Sequence, residues 1–250
     1  LRLAPARAQT DEVFFACFLE EPLMINKVAR SVAEALHGIQ DGSTVLVGGF
    51  AGAGEPRHLL DGLLEQGARD LTIVAITAGM PDDGIGRLAA AGRIRKAIVS
   101  WARSPTGPIP LEPMLRDGRA ELELVPQGTL AERIHAAGSG VPAFFTATSV
   151  GTPLARGKEH REINGRTYVL ESAIFADVAL IEAWRADRWG NLTYRRAGRN
   201  LNAVMAPAAR LTIAQTQHLV ELGEIDPDHI VTPSIYVHRV VHIPYGDPPL

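Results

Sequence analysis

Hydrophobic and polar positions along this chain alternate between two periods. Residues 28–39 set Val28, Val32, Ala35, Leu36 and Ile39 at helical spacing with Gly38 near the end, and predict a helix. Asp41-Gly42 marks a turn, and Val45-Leu46-Val47 reads as a short buried strand. The strand empties into Gly48-Gly49-Phe50-Ala51-Gly52-Ala53-Gly54-Glu55. Pro56 opens the next helix, where its missing N–H removes no bond. Leu59, Leu60, Leu63 and Leu64 give that helix one apolar face, Gly67 stops it, and residues 71–76 form a strand that is apolar but for Thr72. Strand, helix and strand of this length predict a parallel crossover unit.

The alternation continues with a helix over residues 84–91, a strand at 97–99, a short helix at 111–116 and a strand at 122–125. Gly128 or Thr129 then caps a helix over 130–137, ended by Gly138. Residues 101–110 carry Pro105, Pro108 and Pro110 and predict a loop, of the kind that forms the site at the strand ends of an open parallel sheet. Beyond Gly140 the pieces shorten. Asn164-Gly165 between extended segments predicts a hairpin, residues 178–183 a buried strand, 187–191 a turn, and 211–214 and 237–243 further strands. The expected fold is α/β: an open, mostly parallel sheet with flanking helices, plus extra short strands and a hairpin in the C-terminal half. Residues 24–250 read as one domain.

Composition fits this picture. With 46% of its 250 residues apolar and 21% charged, the chain can fill one soluble domain. A net charge of −3 without a basic cluster argues against nucleic acid or an anionic membrane as the partner. Cys17 is the single cysteine, so no internal disulfide forms, which suits a reducing, cytoplasmic setting. Residues 1–23 add no element to the alternation and read as an extension, disordered or packing Phe14, Phe15 and Phe18 on a surface. Their apolar run, residues 13–19, is too short to span a bilayer.

The candidate chemistry centres on the glycines. Gly48, Gly49, Gly52 and Gly54 let the backbone turn tightly and leave N–H groups to face an anion at a helix start. Many such turns only redirect the chain, and the glycine pattern alone does not separate the two. It is neither a dinucleotide fingerprint nor a P-loop: no acidic residue ends the second strand, and no Lys-Ser or Lys-Thr follows. The histidines form no metal-ligand spacing, and His238 and His242, which share a strand face, read as structural. Ser149, in Ala147-Thr148-Ser149-Val150-Gly151, lacks the first glycine of a nucleophile elbow. Glu159, Glu162, Glu171 and Glu182 are scattered and read as solvated or ion-paired. No self-sufficient catalytic set, metal site or cofactor site emerges.

Residues 41–56 resemble the signature of the family I coenzyme A-transferases: Asp-Gly, an apolar run, Gly-Gly-Phe, then Gly and Pro two apart. Glu121-Leu122-Glu123-Leu124-Val125-Pro126-Gln127-Gly128-Thr129-Leu130 agrees, as do Gly157-Lys158-Glu159, Tyr168-Val169-Leu170-Glu171 and Ala186-Asp187-Arg188-Trp189-Gly190-Asn191. The resemblance covers residues 24–241 and is narrowest to A (alpha) subunits that work on 3-oxoacids, 3-oxoadipate favoured. It implies a B subunit that supplies the attacking glutamate, succinyl-CoA as donor, and no separate cofactor, since the CoA thioester is a substrate. Gly48, Gly49, Phe50, Gly52 and Gly54 would face the acyl thioester with Ile76 and Thr77 in the acyl pocket, and Gln127 would reach the reacting acyl group.

Departures from the family pattern fall at loops. Ile76-Thr77 stands where two asparagines are usual, Ala147 and Ser149 where Pro and Gly are common, Ala51 and Ser234 where Gly is usual, and Gly198-Arg199-Asn200-Leu201-Asn202 replaces an Ala-Arg-Asn-Phe run. They leave two other readings open: a non-catalytic small-ligand or regulatory module of related α/β fold, and a degenerate scaffolding subunit.

Overall fold

The structure, a computed structural model, describes residues 24–103 and 107–244. The readings of residues 1–23, of Cys17 and of the prolines at 105 and beyond 244 lie outside these. Among the described residues, no helix is long and apolar enough to cross a membrane.

The main sheet is built from β1 (Val28–Ala29), β2 (Thr44–Val47), β3 (Leu71–Thr77), β4 (Ile94–Trp101), β5 (Glu121–Leu124), β9 (Ala176–Asp187), β10 (Leu192–Thr193), β11 (Ala209–Val220) and β12 (Arg239–His242). Its order is β1-β12-β11-β9-β2-β3-β4-β5, all neighbours parallel, with β10 antiparallel on the end of β9. The pleat sends alternate residues to opposite faces. Val45 and Val47 pack under α1 (Val32–Leu36), α2 (Arg57–Gln66) and α3 (Gly84–Ala90), beside α4 (Glu112–Arg116). Leu46, Val74 and Ala179 pack under α5 (Gln127–Gly138) and α6 (Asn202–Met205). Both faces are covered, which is why the central strands read as continuous apolar runs. Leu59, Leu60 and Leu63 of α2 are fully buried, a gain of about 2 kcal/mol each.

Two expected elements change. The helix over 28–39 is only α1, because Val28 and Ala29 pair as β1 with Val240 and Val241. Ser31 sits in an extended conformation and its side chain accepts from Glu34 N at 3.1 Å, so the helix begins after it. The strand expected at 237–243 is the partner of β1, more than 200 residues away, so no pattern local to residues 28–29 announces the pairing. Likewise α5 starts directly after Pro126, which places Gly128 and Thr129 inside the helix and makes Gln127 its first residue. The strands expected at 178–183 and 211–214 extend to 12 residues each.

A second, antiparallel sheet has the order β6 (Ala143–Thr146), β8 (Arg166–Ser172), β7 (His160–Ile163). Asn164 and Gly165 make its two-residue turn with φ of 52° and 73°, the conformation that favours Asn-Gly between twisted strands. Charges join this sheet to the main body. Lys96 pairs with Glu123 at 2.8 Å, Glu123 with Arg133 at 2.6 Å, and Lys158 with Glu171 at 2.5 Å. Arg133 also donates to the Ser172 carbonyl at 2.7 Å and lies 4.0 Å from Glu171. Burial alone would push the Glu123 carboxyl up, but hydrogen bonds from Lys96 and Arg133 outweigh it and hold the group below the ordinary carboxylate range.

Candidate functional site

Chain direction turns sharply where β2 ends. Gly48 N still donates to Leu180 O of β9 at 3.0 Å, and then Phe50 and Ala53 exchange N–H···O bonds at 3.0 Å. Between them Ala51 and Gly52 hold φ of 50° and 84°, so residues 50–53 are a two-residue hairpin tip. Ala51 occupies a left-handed conformation that strains any residue with a Cβ.

The hairpin is fastened from behind by two asparagines at and before α6. Asn200 Oδ1 accepts from Gly49 N at 3.1 Å, and its amide donates to Ala53 O at 3.1 Å. Asn202 is fully buried; its amide donates to Gly54 O at 2.9 Å and Gly198 O at 2.8 Å, while its Oδ1 accepts from Glu182 N at 3.1 Å. Gly48 is glycine for this reason: a Cβ there would lie 1.7 Å from Asn202 Oδ1. At Gly54, a Cβ would lie 2.3 Å from Gly198 O.

A cleft of about 830 Å³ opens at the carboxyl ends of β2, β3 and β4, in front of the hairpin. It brings together Gly48, Gly49, Phe50, Gly52, Ile76, Thr77 and Gln127 from three separate parts of the chain. Gly54 is outside the lining, on the asparagine side. The donors differ from a row of free glycine amides, because Gly48, Gly49 and Phe50 spend their N–H groups on Leu180, Asn200 and Ala53. Among the described residues, the N–H groups of Ala51 and Gly52, both on the lining, have no acceptor. Gln127 is exposed at the start of α5 and its amide has no hydrogen-bond partner among the described residues.

Sequence reasoning missed the charged part of the lining. Glu55 accepts from Gly84 N at 3.4 Å and pairs with Arg57 at 3.3 Å. Burial, and next the charge of Asp83, push its carboxyl above the ordinary range. Asp83 caps α3, accepting from Met80 N and Gly86 N at 2.6 Å each. Ser100, Trp101, Arg103 and Asp82 also lie on the polar and aromatic lining. Only the run of family departures at 198–202 signalled the asparagine clamp, and nothing in spacing tied it to a loop so distant in sequence.

The other candidates lie elsewhere. Ala147 and Ser149 form a turn after β6 outside the cleft, with Ser149 at φ 76°. Glu171 belongs to the charge chain, Glu159 pairs with Arg161, and Glu182 accepts from Gln215 and Gln217 at 3.1 and 2.9 Å. His238 Nδ1 accepts from Thr212 N at 3.0 Å, and His242 Nε2 lies 3.2 Å from Gln217 O.

With this geometry in hand, comparison with known proteins is specific. The family model described as coenzyme A transferase matches residues 29–242. The chain is 55% identical over 220 residues to the A-type chain of 3-oxoadipate CoA-transferase from Pseudomonas putida, covering 88% of this chain and 95% of that one. It is 42% identical to the A-type chain of succinyl-CoA:3-ketoacid coenzyme A transferase from Helicobacter pylori, over 86% of this chain and 92% of that one. Glutaconate coenzyme A-transferase from Acidaminococcus fermentans shares the fold, with a TM-score of 0.78, 22% identity, and coverage of 88% of this chain and 76% of that one. An acyl-CoA transferase from Escherichia coli O157:H7 does so with a TM-score of 0.77 at 23% identity, over 91% of this chain and 50% of that one. The chain therefore belongs to the coenzyme A transferase family, and within it to the A-type chains.

Proposed function

We propose that this chain is the A-type half of a heteromeric enzyme that moves CoA from succinyl-CoA to a 3-oxoacid, with 3-oxoadipate the favoured acceptor. The observation that carries this reading is the composition of the cleft. It offers uncommitted donors at Ala51, Gly52 and Gln127, while its two half-buried carboxylates are already engaged, Glu55 by Arg57 and Gly84 N, Asp83 by the start of α3, and the third, Asp82, is exposed to solvent. Such a surface stabilises a developing oxyanion and needs its nucleophile from another chain. The named relatives are themselves A-type chains of CoA-transferases.

On this reading the reaction is ping-pong. A glutamate carried by the B subunit strikes the thioester carbonyl and expels CoA thiolate, leaving an acyl anhydride; the thiolate attacks the glutamyl carbonyl and releases succinate. The 3-oxoacid carboxylate then opens the glutamyl-CoA thioester by the same two steps in reverse. A carboxylate is a poor nucleophile toward a thioester, so most of the acceleration comes from oriented donors and from binding energy remote from the reacting carbon. Ala51 N–H, Gly52 N–H and the Gln127 amide supply the donors; none of them titrates near neutral pH. The steps require no cofactor, the CoA thioester being a substrate, and the setting is cytoplasmic.

Mixing the purified chain with a CoA-transferase B subunit, succinyl-CoA and a 3-oxoacid tests this. The expected result is transfer to 3-oxoacids by the mixture and none by either chain alone. Turnover by this chain alone overturns the division of labour.

A further inference from the structure

The cleft combines an apolar wall with guanidinium groups, and the two kinds of lining ask for different parts of one ligand. Ala75, Ile76 and Ile85 are buried in its wall, and Phe50 and Trp101 show about half their surface beside them. Methylene groups suit such a wall, whereas a charge placed against it loses its hydration without compensation. A charge on the ligand must therefore sit where the lining itself is charged.

The two arginines on the lining differ in freedom. Arg57 is paired with Glu55, so its charge is largely balanced in place. Arg103, just past the end of β4, is exposed and has no carboxylate within ion-pairing distance among the described residues. Of the three acids there, Glu55 and Asp83 are engaged, and Asp82 is exposed and disfavours an anion in its own vicinity. Arg103 is thus the lining group best placed to hold an anion. A guanidinium remains charged at every working pH, and its planar fork matches a carboxylate.

Resting on the CoA-transferase reading above, we infer that Arg103 recognises the far carboxylate of a dicarboxylic 3-oxoacid, making it a specificity-determining residue of the acyl pocket. Both ends of the acyl group then find donors: Ala51, Gly52 and Gln127 at the thioester oxygen, Arg103 at the terminal carboxylate, with Ile76 and Ile85 beside the methylenes. Ile76-Thr77 in this arrangement does not abolish recognition of a dicarboxylic acid. It moves the polar recognition from the strand end to the rim.

The test is a ratio of acceptors on the assembled two-chain enzyme with succinyl-CoA as donor. 3-Oxoadipate and 3-oxohexanoate have the same length and differ in the terminal carboxylate. The unmodified enzyme is expected to favour 3-oxoadipate in kcat/KM, and Arg103→Ala to lower that ratio at least about tenfold, as loss of a charge-assisted hydrogen bond does. Arg103→Lys restores part of the ratio, and Arg57→Ala moves it less than about threefold, since its charge is already paired. General damage to the fold lowers both acceptors together and leaves the ratio alone. An unchanged ratio in Arg103→Ala, or no preference in the unmodified enzyme, overturns the assignment of Arg103 while leaving the CoA-transferase reading intact. Transfer to neither acceptor removes that reading and this one with it.

Discussion

The charge chain under the small sheet and the glycine hairpin at the cleft are both polar assemblies that join distant parts of the sequence, and they are completed to different degrees. Along the chain Lys96, Glu123, Arg133, Glu171 and Lys158, each cation faces a carboxylate, and the spare donor of Arg133 finds the Ser172 carbonyl. The hairpin is complete only on its rear side, where Asn200 and Asn202 take up Gly49, Ala53, Gly54 and Gly198. On its front side the N–H groups of Ala51 and Gly52, with Gln127 and Arg103 nearby on the lining, have no protein partner among the described residues. Partnered polar groups hold layers together; groups kept in place yet unpartnered are available to a ligand.

Breaking the complete assembly has the largest expected effect. Arg133→Met leaves Glu123 with one partner and Glu171 with Lys158 alone, and is expected to destabilise the chain by about 3 kcal/mol in chemical denaturation. The apolar Met stem preserves much of the packing, so the loss reports the charges.

Breaking the rear of the hairpin comes next. Gly48→Ala puts a Cβ on Asn202 Oδ1 and forces the amide off Gly54, Gly198 and Glu182. The expected cost is about 2 kcal/mol, with a larger proportional loss of turnover because the donors of the hairpin tip shift.

Two smaller changes sharpen the comparison. Ala51→Gly and Ser149→Gly each relieve a left-handed residue, at φ 50° and 76°, and each is expected to raise stability by about 1 kcal/mol in thermal melts. Only Ala51→Gly is expected to alter kcat, since Ser149 is outside the cleft.

Two carboxyls, Glu55 at the cleft and Glu123 in the charge chain, shift in opposite directions. The Glu55 carboxyl is raised by burial and by Asp83, so the folded chain holds that proton more tightly than the unfolded chain. The stability it lends is present at low pH and is lost as pH rises from the ordinary carboxylate range through the raised value. Glu123 is lowered, so its contribution is present above the ordinary carboxylate range and is lost as pH falls through the lowered value. Melting curves of Glu55→Gln and Glu123→Gln against pH should therefore diverge from the unmodified chain in opposite directions.

Much of this was legible from the sequence because it is local. The run from β2 through α2 to β3 is written in hydrophobic period and the turn at Asn164-Gly165 in residue type, whereas Ile76, Thr77 and Gln127 are singled out only by the family resemblance, and the cleft then brings them together. What stayed hidden depends on distant partners. Val28 shows a helical spacing until Val240 gives it a strand to pair with. Glycine in a sequence shows that an amide can approach something, but the acceptors at Leu180, Ala53 and Asn200 decide which amides remain to be offered. Arg103 lay in a segment legible only as a proline-rich loop, and its role follows from the apolar wall beside it.

In the proposed enzyme this chain holds the donors and another chain the nucleophile. Mass mapping of the thioester adduct tests it most directly, after the assembled enzyme is incubated with succinyl-CoA and no acceptor. The adduct is expected on a glutamate of the B subunit, with every peptide of this chain unmodified. An adduct on Glu55, the half-buried carboxylate of the cleft, would place the nucleophile in this chain instead.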